Sequence, residues 1–320
     1  MTLFPWMTER PPPESTLTEF AGSKRKNPAL QVVIALGGWT FNDNGTIWQP
    51  VFSDIVSTES KRARFISNLK IFMNRYGFDG VDLDWEYPGA PDRGGHEDDG
   101  VNFTKLLKEM RTAFDDMSGG HKEITFTAPT SYWYLRHFDI KANAEAFDAV
   151  NVMAYDLYGI WDANSPIGST VLAHSNLTEI NLALNLFWRN QVPAEKLVLG
   201  LGFYGRSFQL VDPSCSQPGR AQPHPYHEED AAVKYITWGG DQWVSYDDFD
   251  TFQQKIDFAN GLGLGGLLIW AIDLDNKDLD ALSAVVYPET ARHGTTGLWA
   301  QSNIENLWLT GPGYGAAGPF

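Results

Sequence analysis

Four acidic residues, Asp79, Asp82, Asp84 and Glu86, fall within the stretch FDGVDLDWEYPG, and the last three stand two residues apart. On an extended strand, side chains alternate between faces, so Asp82, Asp84 and Glu86 share one side while Val81, Leu83 and Trp85 pack on the other. Carboxylates crowded onto one face repel, and a purely structural strand gains nothing from them. A general acid does gain: neighbouring negative charge raises one carboxyl's pKa, so that it holds a proton near neutrality. Glu86, nearest the open end, is the natural proton donor. Asp84, one pleat deeper, is close enough to share a proton or a hydrogen bond with it. Glycosidases commonly use two separated carboxylates. Here no second, isolated acid stands out as a nucleophile. Asp156 is a candidate, and it serves equally well to orient a polar substrate.

The elements around this stretch alternate. Short apolar runs at QVVIALGG and at residues 123–129, 147–155, 197–203 and 265–271 read as buried strands, together with the acidic stretch itself. Residues 15–26, 57–76, 98–116, 177–190 and 248–260 read as helices. In the second of these, Phe65, Leu69, Phe72 and Met73 recur at helical spacing, and Gly77 closes it. Alternating strand and helix with nearly continuous apolar strands implies a parallel sheet covered by helices. Polar and aromatic residues gather where nearly every strand ends, which favours a (β/α) barrel, whose sites are built on that face, over a doubly wound sheet with one crevice. Trp39, Tyr155, Trp161 and Trp270 fall at these ends, and such rings suit the apolar faces of pyranose sugars. VKYITWGGDQWVSYDD reads as a hairpin turning at residues 239–241.

Composition narrows the partners. The chain has 320 residues, a net charge of -16 and a sequence pI near 4.7. Nucleic acid and anionic membrane surfaces both want a basic footprint, so both are excluded as partners, while a neutral substrate fits. No apolar run is long enough to cross a bilayer, and the first residues lack a secretory pattern. Three sequons begin at Asn44, Asn102 and Asn176. The single cysteine, Cys215, reads as an inert thiol. His224 and His227 read as surface residues, and no zinc spacing or cofactor loop is present, since GLGLGG at residues 261–266 precedes a strand and reads as a helix cap. The acids Glu97, Asp98 and Asp99 read as a helix N-terminus favoured by the dipole.

The chain resembles the fungal-type chitinases of glycoside hydrolase family 18. DxxDxDxE is complete as Asp79, Asp82, Asp84 and Glu86, followed by Tyr87, Pro88 and Gly89. The SxGG strand is present with Ala35 in the serine position, MxYD as Met153, Tyr155 and Asp156, FYGR as residues 203–206, and WxxDxD as Trp270, Asp273 and Asp275. The resemblance implies hydrolysis of β-1,4-linked N-acetylglucosamine by the substrate's own acetamido oxygen, which explains the missing nucleophile. It implies Glu86 as donor, Asp84 orienting the acetamido group with Asp82 behind it, and Tyr155 bonding that group. Met153 and Asp156 would shape the pocket, Trp270 would form its floor, Trp39 and Trp161 would stack further sugars, and Arg206 would contact polar sugar groups. Tyr87 belongs to the same expected binding surface, and Asp79 supports the motif. No metal and no cofactor are implied; chitin or chito-oligosaccharides are the partners, the state a monomer and the location extracellular. The fold expected is a TIM (β/α)8-type barrel lacking its first two strands. Residues 1–26 are then a remnant of the barrel start, 27–288 the catalytic part with a shortened α+β insertion at about 209–249, and 289–320 a Gly-rich tail. The incomplete barrel sets a second expectation beside the enzyme: a non-catalytic chitin-binding fragment. A third is an endo-acting glycosidase on glycoprotein glycans.

Overall fold

The computed structural model describes residues 2–3, 13–168, 170–211 and 225–287. Seven strands form one parallel sheet in the order β1 (Thr2–Leu3), β2 (Val33–Gly37), β3 (Gly80–Asp84), β4 (Glu123–Pro129), β5 (Ala149–Met153), β6 (Leu197–Gly202) and β11 (Gly266–Trp270). The sheet is curled into a half-barrel, and among the described residues no ladder joins β1 to β11. The expectation of an open barrel holds, with one addition: the two residues of β1 pair in parallel with Val33 and Ile34, ahead of the first strand legible in the sequence.

Helices α1 (Glu14–Gly22), α2 (Val51–Val56), α3 (Glu59–Tyr76), α4 (Asp99–Asp115), α5 (Tyr132–Leu135), α6 (Ile140–Asn143) and α7 (Leu177–Arg189) connect these strands. Thr58 caps α3 by accepting from the Lys61 N–H, and Gly77 ends it at φ +81°, a conformation open to glycine. Helix α1 begins after Pro13, whose ring offers no side-chain cap. Apolar stripes on α3 (Ile66, Leu69, Met73), α4 (Phe103, Leu106, Leu107, Met110, Phe114) and α7 (Ile180, Leu184, Phe187) bury against the sheet. Val81, Leu83 and Trp85 enter the same core, as the alternation predicts. Trp85 stacks on Phe52 at 5.3 Å and meets Phe103 edge-on at 5.8 Å, and Phe103 continues to Phe126 at 5.7 Å.

Between β6 and β11 lies a second sheet, antiparallel, of β7 (Arg206–Gln209), β10 (Gln242–Tyr246), β9 (Val233–Trp238) and β8 (Tyr226–Glu228). The hairpin predicted over residues 233–248 is β9–β10, whose strands end at Tyr246. Among the described residues the insertion consists of these strands and their turns; helices α8 (Phe249–Leu262) and α9 (Asp280–Val286) follow it. Gly263 ends α8 at φ +68°, so the glycine-rich run is a helix cap as read. Cys215, His224 and the tail beyond residue 287 lie outside the described residues.

Candidate active site

Strand β3 ends at Asp84, so the strand carries two of the three alternating carboxylates, and Glu86 stands in the bend just beyond it. Asp82 is fully buried and tied to β4 and, beyond it, β5: Oδ1 accepts from Thr125 Oγ1 at 2.5 Å and Asn151 Nδ2 at 2.8 Å, and Oδ2 from Thr127 Oγ1 at 3.1 Å. Burial raises its pKa, and those three hydrogen bonds oppose the rise. Asp84 has less support. Its Oδ1 is buried with no hydrogen-bond partner, and burial, then Glu86, then Asp82 hold its pKa well above the ordinary range. Burial also pushes Glu86 up to about 7; the hydrogen bond with Tyr87 and the Arg93 charge pull it down, and the Asp156 charge pushes it up. A carboxyl at that value carries its proton over the range where a general acid is useful.

The backbone around these acids is crowded. The Gly38 N–H donates to the Asp84 carbonyl at 2.7 Å, and a side chain at Gly37 would bring its first carbon within 2.0 Å of that oxygen. The peptide bonds between Glu86 and Tyr87 and between Trp270 and Ala271 are cis. Tyr87 stacks on Tyr134 with centroids 4.3 Å apart, and the Tyr134 hydroxyl donates to Asp92 at 2.7 Å.

The other expected residues gather at the same end of the sheet. Met153 ends β5, and Tyr155 and Asp156 follow after Ala154. Arg206 opens β7 and grips Asp156 with two bonds, Nε to Oδ1 and Nη2 to Oδ2, each 2.7 Å. Its guanidinium lies 5.3 Å from the Trp161 ring centre. Trp39 follows β2, and Trp270 ends β11, whose carbonyl there accepts the Phe203 N–H at 2.9 Å. Trp39 and Trp161 are half exposed. Two acids of the extended motifs do other work. At the opposite end of β3, Asp79 accepts from the Val32 N–H at 2.9 Å and pairs with Lys24 at 2.9 Å. Asp275 accepts the Ala281 and Leu282 N–H groups at 3.1 and 2.8 Å and so caps α9.

Three residues escaped the sequence reading. Arg93 is buried; its Nε donates to the Glu86 carbonyl at 3.1 Å, its Nη2 to the Trp39 carbonyl, and its guanidinium covers the Trp39 ring at 3.7 Å. Asp99, expected only to complement a helix dipole, is buried and gathers the Ser53 hydroxyl and the Gly89 and His96 N–H groups at 2.8, 3.2 and 2.6 Å, folding the loop after Glu86. His174 is fully buried, with the Asp156 N–H 3.3 Å from its Nδ1. The local signals were weak: one arginine in a Pro/Gly-rich loop and one acid among three. Among the described residues, one His–carboxylate group that could hold a cation, His121, Glu123 and Asp148, lies at the far end of the strands. Asp148 is already engaged there by Arg111 at 3.0 Å, His121 at 2.8 Å and the Ile124 N–H at 2.7 Å.

A half-barrel with paired buried acids at the end of β3, ringed by aromatics, defines the class. Residues 8–275 match the Glycosyl hydrolases family 18 family, and the chain belongs to it. It is 32% identical over 295 residues to Chitotriosidase-1 of Mus musculus, covering 81% of this chain and 61% of that one. To the Secreted chitinase LysM12 of Penicillium expansum it is 28% identical over 292 residues, covering 76% and 19%. Among solved structures it is similar to a glycoside hydrolase family 18 N-acetylglucosaminidase from Paenibacillus barengoltzii, with TM-score 0.72, 28% identity and coverage of 84% and 85%. The chain thus spans less than two thirds of the length of these two curated relatives.

Proposed function

We propose that this chain is a chitinase that hydrolyses β-1,4-linked N-acetylglucosamine polymers with retention at the anomeric carbon. The observation that carries it is the buried, unpartnered Oδ1 of Asp84 beside a glutamate whose pKa is raised to about 7. An orphaned buried acceptor is costly unless a ligand supplies the donor. The N–H of a 2-acetamido group is such a donor, at the place where the acetamido oxygen has to be aimed at the anomeric carbon.

In this reading Glu86 protonates the glycosidic oxygen. The acetamido oxygen attacks the anomeric carbon as the C–O bond breaks, closing a cyclic oxazolinium ion, and the aglycone leaves as an alcohol. Asp84 accepts the acetamido N–H and balances the positive charge that develops, with Asp82 holding the third position in the row. Tyr155 donates to the acetamido oxygen, Trp270 floors the distorted sugar, and Trp39 and Trp161 stack its neighbours. Met153, Tyr87, Asp156 and Arg206 complete the walls. Water, deprotonated by the now ionised Glu86, opens the ring on the face that the leaving group vacated. Chitin and chito-oligosaccharides are the partners, and the similarity to a secreted fungal chitinase supports an extracellular location.

The test is time-resolved proton NMR of chito-oligosaccharide hydrolysis. The first product formed by the wild type is expected to be the β-anomer, and Glu86→Gln to form none. Equal release by both would remove Glu86 from the reaction, and binding without hydrolysis by the wild type would favour the chitin-binding reading.

A further inference from the structure

The side chain of His174 is completely shielded from solvent, although no motif in the sequence singles it out. Its Nε2 lies 3.1 Å from the carbonyl oxygen of Tyr204, which can only accept, so Nε2 carries the proton. Its Nδ1 faces the backbone N–H of Asp156 at 3.3 Å, which can only donate, so Nδ1 is bare. The two contacts leave one assignment, a neutral imidazole with hydrogen on Nε2. The ring stacks on Tyr204 at 4.9 Å, and the carbonyl of His174 accepts the Leu157 N–H at 3.0 Å. Ring and main chain therefore grip consecutive residues, 156 and 157.

The gripped residue needs holding. Asp156 sits at φ +56°, in the left-handed region that side-chain-bearing residues rarely adopt. From that turn its carboxylate reaches the fork of Arg206. We propose that His174, as its neutral Nε2–H tautomer, is a positioning residue that locks Asp156 in the left-handed turn and so fixes the Asp156–Arg206 pair at the strand ends. Its kinetic readouts rest on the hydrolase reading above; its structural ones do not.

Charges face the ring from several elements. Asp156, whose Oδ1 is 3.7 Å from Nδ1, and Asp247 favour the imidazolium, whereas burial, Lys255 and Arg206 oppose it. Burial is the largest influence and keeps the pKa below its ordinary value. The two carboxylates are already committed, Asp156 to Arg206, and Asp247 to Lys255 and to the Ser175 hydroxyl at 2.7 Å. Tyr204, stacked on the ring, is held neutral by burial. Protonation at Nδ1 would set one N–H against another and release the turn.

Nitrogen-15 NMR of the histidine rings in the full chain should show His174 with hydrogen on Nε2 at pH 7. Backbone chemical shifts should keep Asp156 left-handed in the wild type and in His174→Asn, whose amide oxygen can replace Nδ1 as acceptor, and lose it in His174→Ala. On a chito-oligosaccharide, His174→Ala should lower kcat about a hundredfold, the cost of a displacement of the order of an ångström near the chemistry. His174→Asn should recover about tenfold of that, and the step that imidazole protonation adds to the acid limb of the pH profile should be missing from it. An imidazolium or an Nδ1–H tautomer at pH 7 would overturn the proposal. So would a left-handed Asp156 in a folded His174→Ala. Identical kinetics and pH profiles for the two folded variants would reduce the ring to packing. If the wild type hydrolyses nothing, the activity reading fails, and the ring tautomer and the Asp156 backbone still decide the role of His174.

Discussion

Glu86 is the point where opposing influences meet, and the Arg93 charge is one of them. The guanidinium lowers the glutamate's pKa against burial and Asp156, while its hydrogen bonds go to the carbonyls of Glu86 and Trp39 and to Asp43 Oδ1 at 3.3 Å. Arg93→Met deletes the charge and keeps much of the bulk. The Glu86 pKa should then rise, and the alkaline limb of kcat/KM should move up by roughly half a pH unit or more. A limb that stays in place would deny Arg93 its electrostatic role. The same raised pKa has a consequence for stability. The fold favours the protonated acid, so nothing is lost below the ordinary value of 4.5, and stability falls as pH rises through about 7. Glu86→Gln mimics the protonated acid. It should match the wild type in urea unfolding at pH 4 and exceed it at pH 8 by about 3 kcal/mol. A wild type that remains the more stable protein at pH 8 would contradict the assignment of the shift to burial.

At the scale of elements, the site depends on how closely β2 approaches β3. Gly37 sits at φ +114°, and an added side chain would collide with the Asp84 carbonyl, which is backbone and cannot swing away. Gly45, at φ +79° with nothing within 4 Å, shares the backbone demand without the collision. Gly45→Ala should therefore cost about 1 kcal/mol and Gly37→Ala about 3 or more, read as urea midpoints, with hydrolysis lost only in the second. Comparable costs at the two positions would mean that the approach relaxes. These contacts mark the limit of what the sequence discloses. Strands and long helices were legible because burial writes itself as apolar runs and 3.6-residue stripes. Helix α2 is only six residues long, too short for a period to show. The end of β3 at Asp84 was hidden because DLDWE alternates straight through it. Arg93 and His174 were invisible for another reason. Their partners lie far along the chain, Trp39 54 residues from the first and Tyr204 30 from the second, and only the fold brings them together.

Across the whole molecule, the candidate site joins a rigid half to a looser one. Every residue of β3 is buried, and β3 pairs on both sides, whereas every residue of β11 is half-buried and, among the described residues, β11 pairs only with β6. A strand with fewer apolar contacts and one ladder opens at lower free energy than a central one. Hydrogen exchange should therefore be faster for the amides of β11 than for those of β3. Trp270, the proposed floor of the sugar site, stands at the end of that looser strand. If opening β11 dismantles the floor, a bound sugar must oppose the opening. Chito-oligosaccharide at a hundred times its Kd should then slow exchange in β11 by up to about a hundredfold, roughly 2.7 kcal/mol, and slow any local opening of β3 that leaves the floor intact far less. Protection that rises equally in both strands would mean that β11 opens only with the whole sheet. Protection that does not rise at all in β11 would take Trp270 out of the binding surface and leave the buried acids of β3 to hold the sugar without a floor.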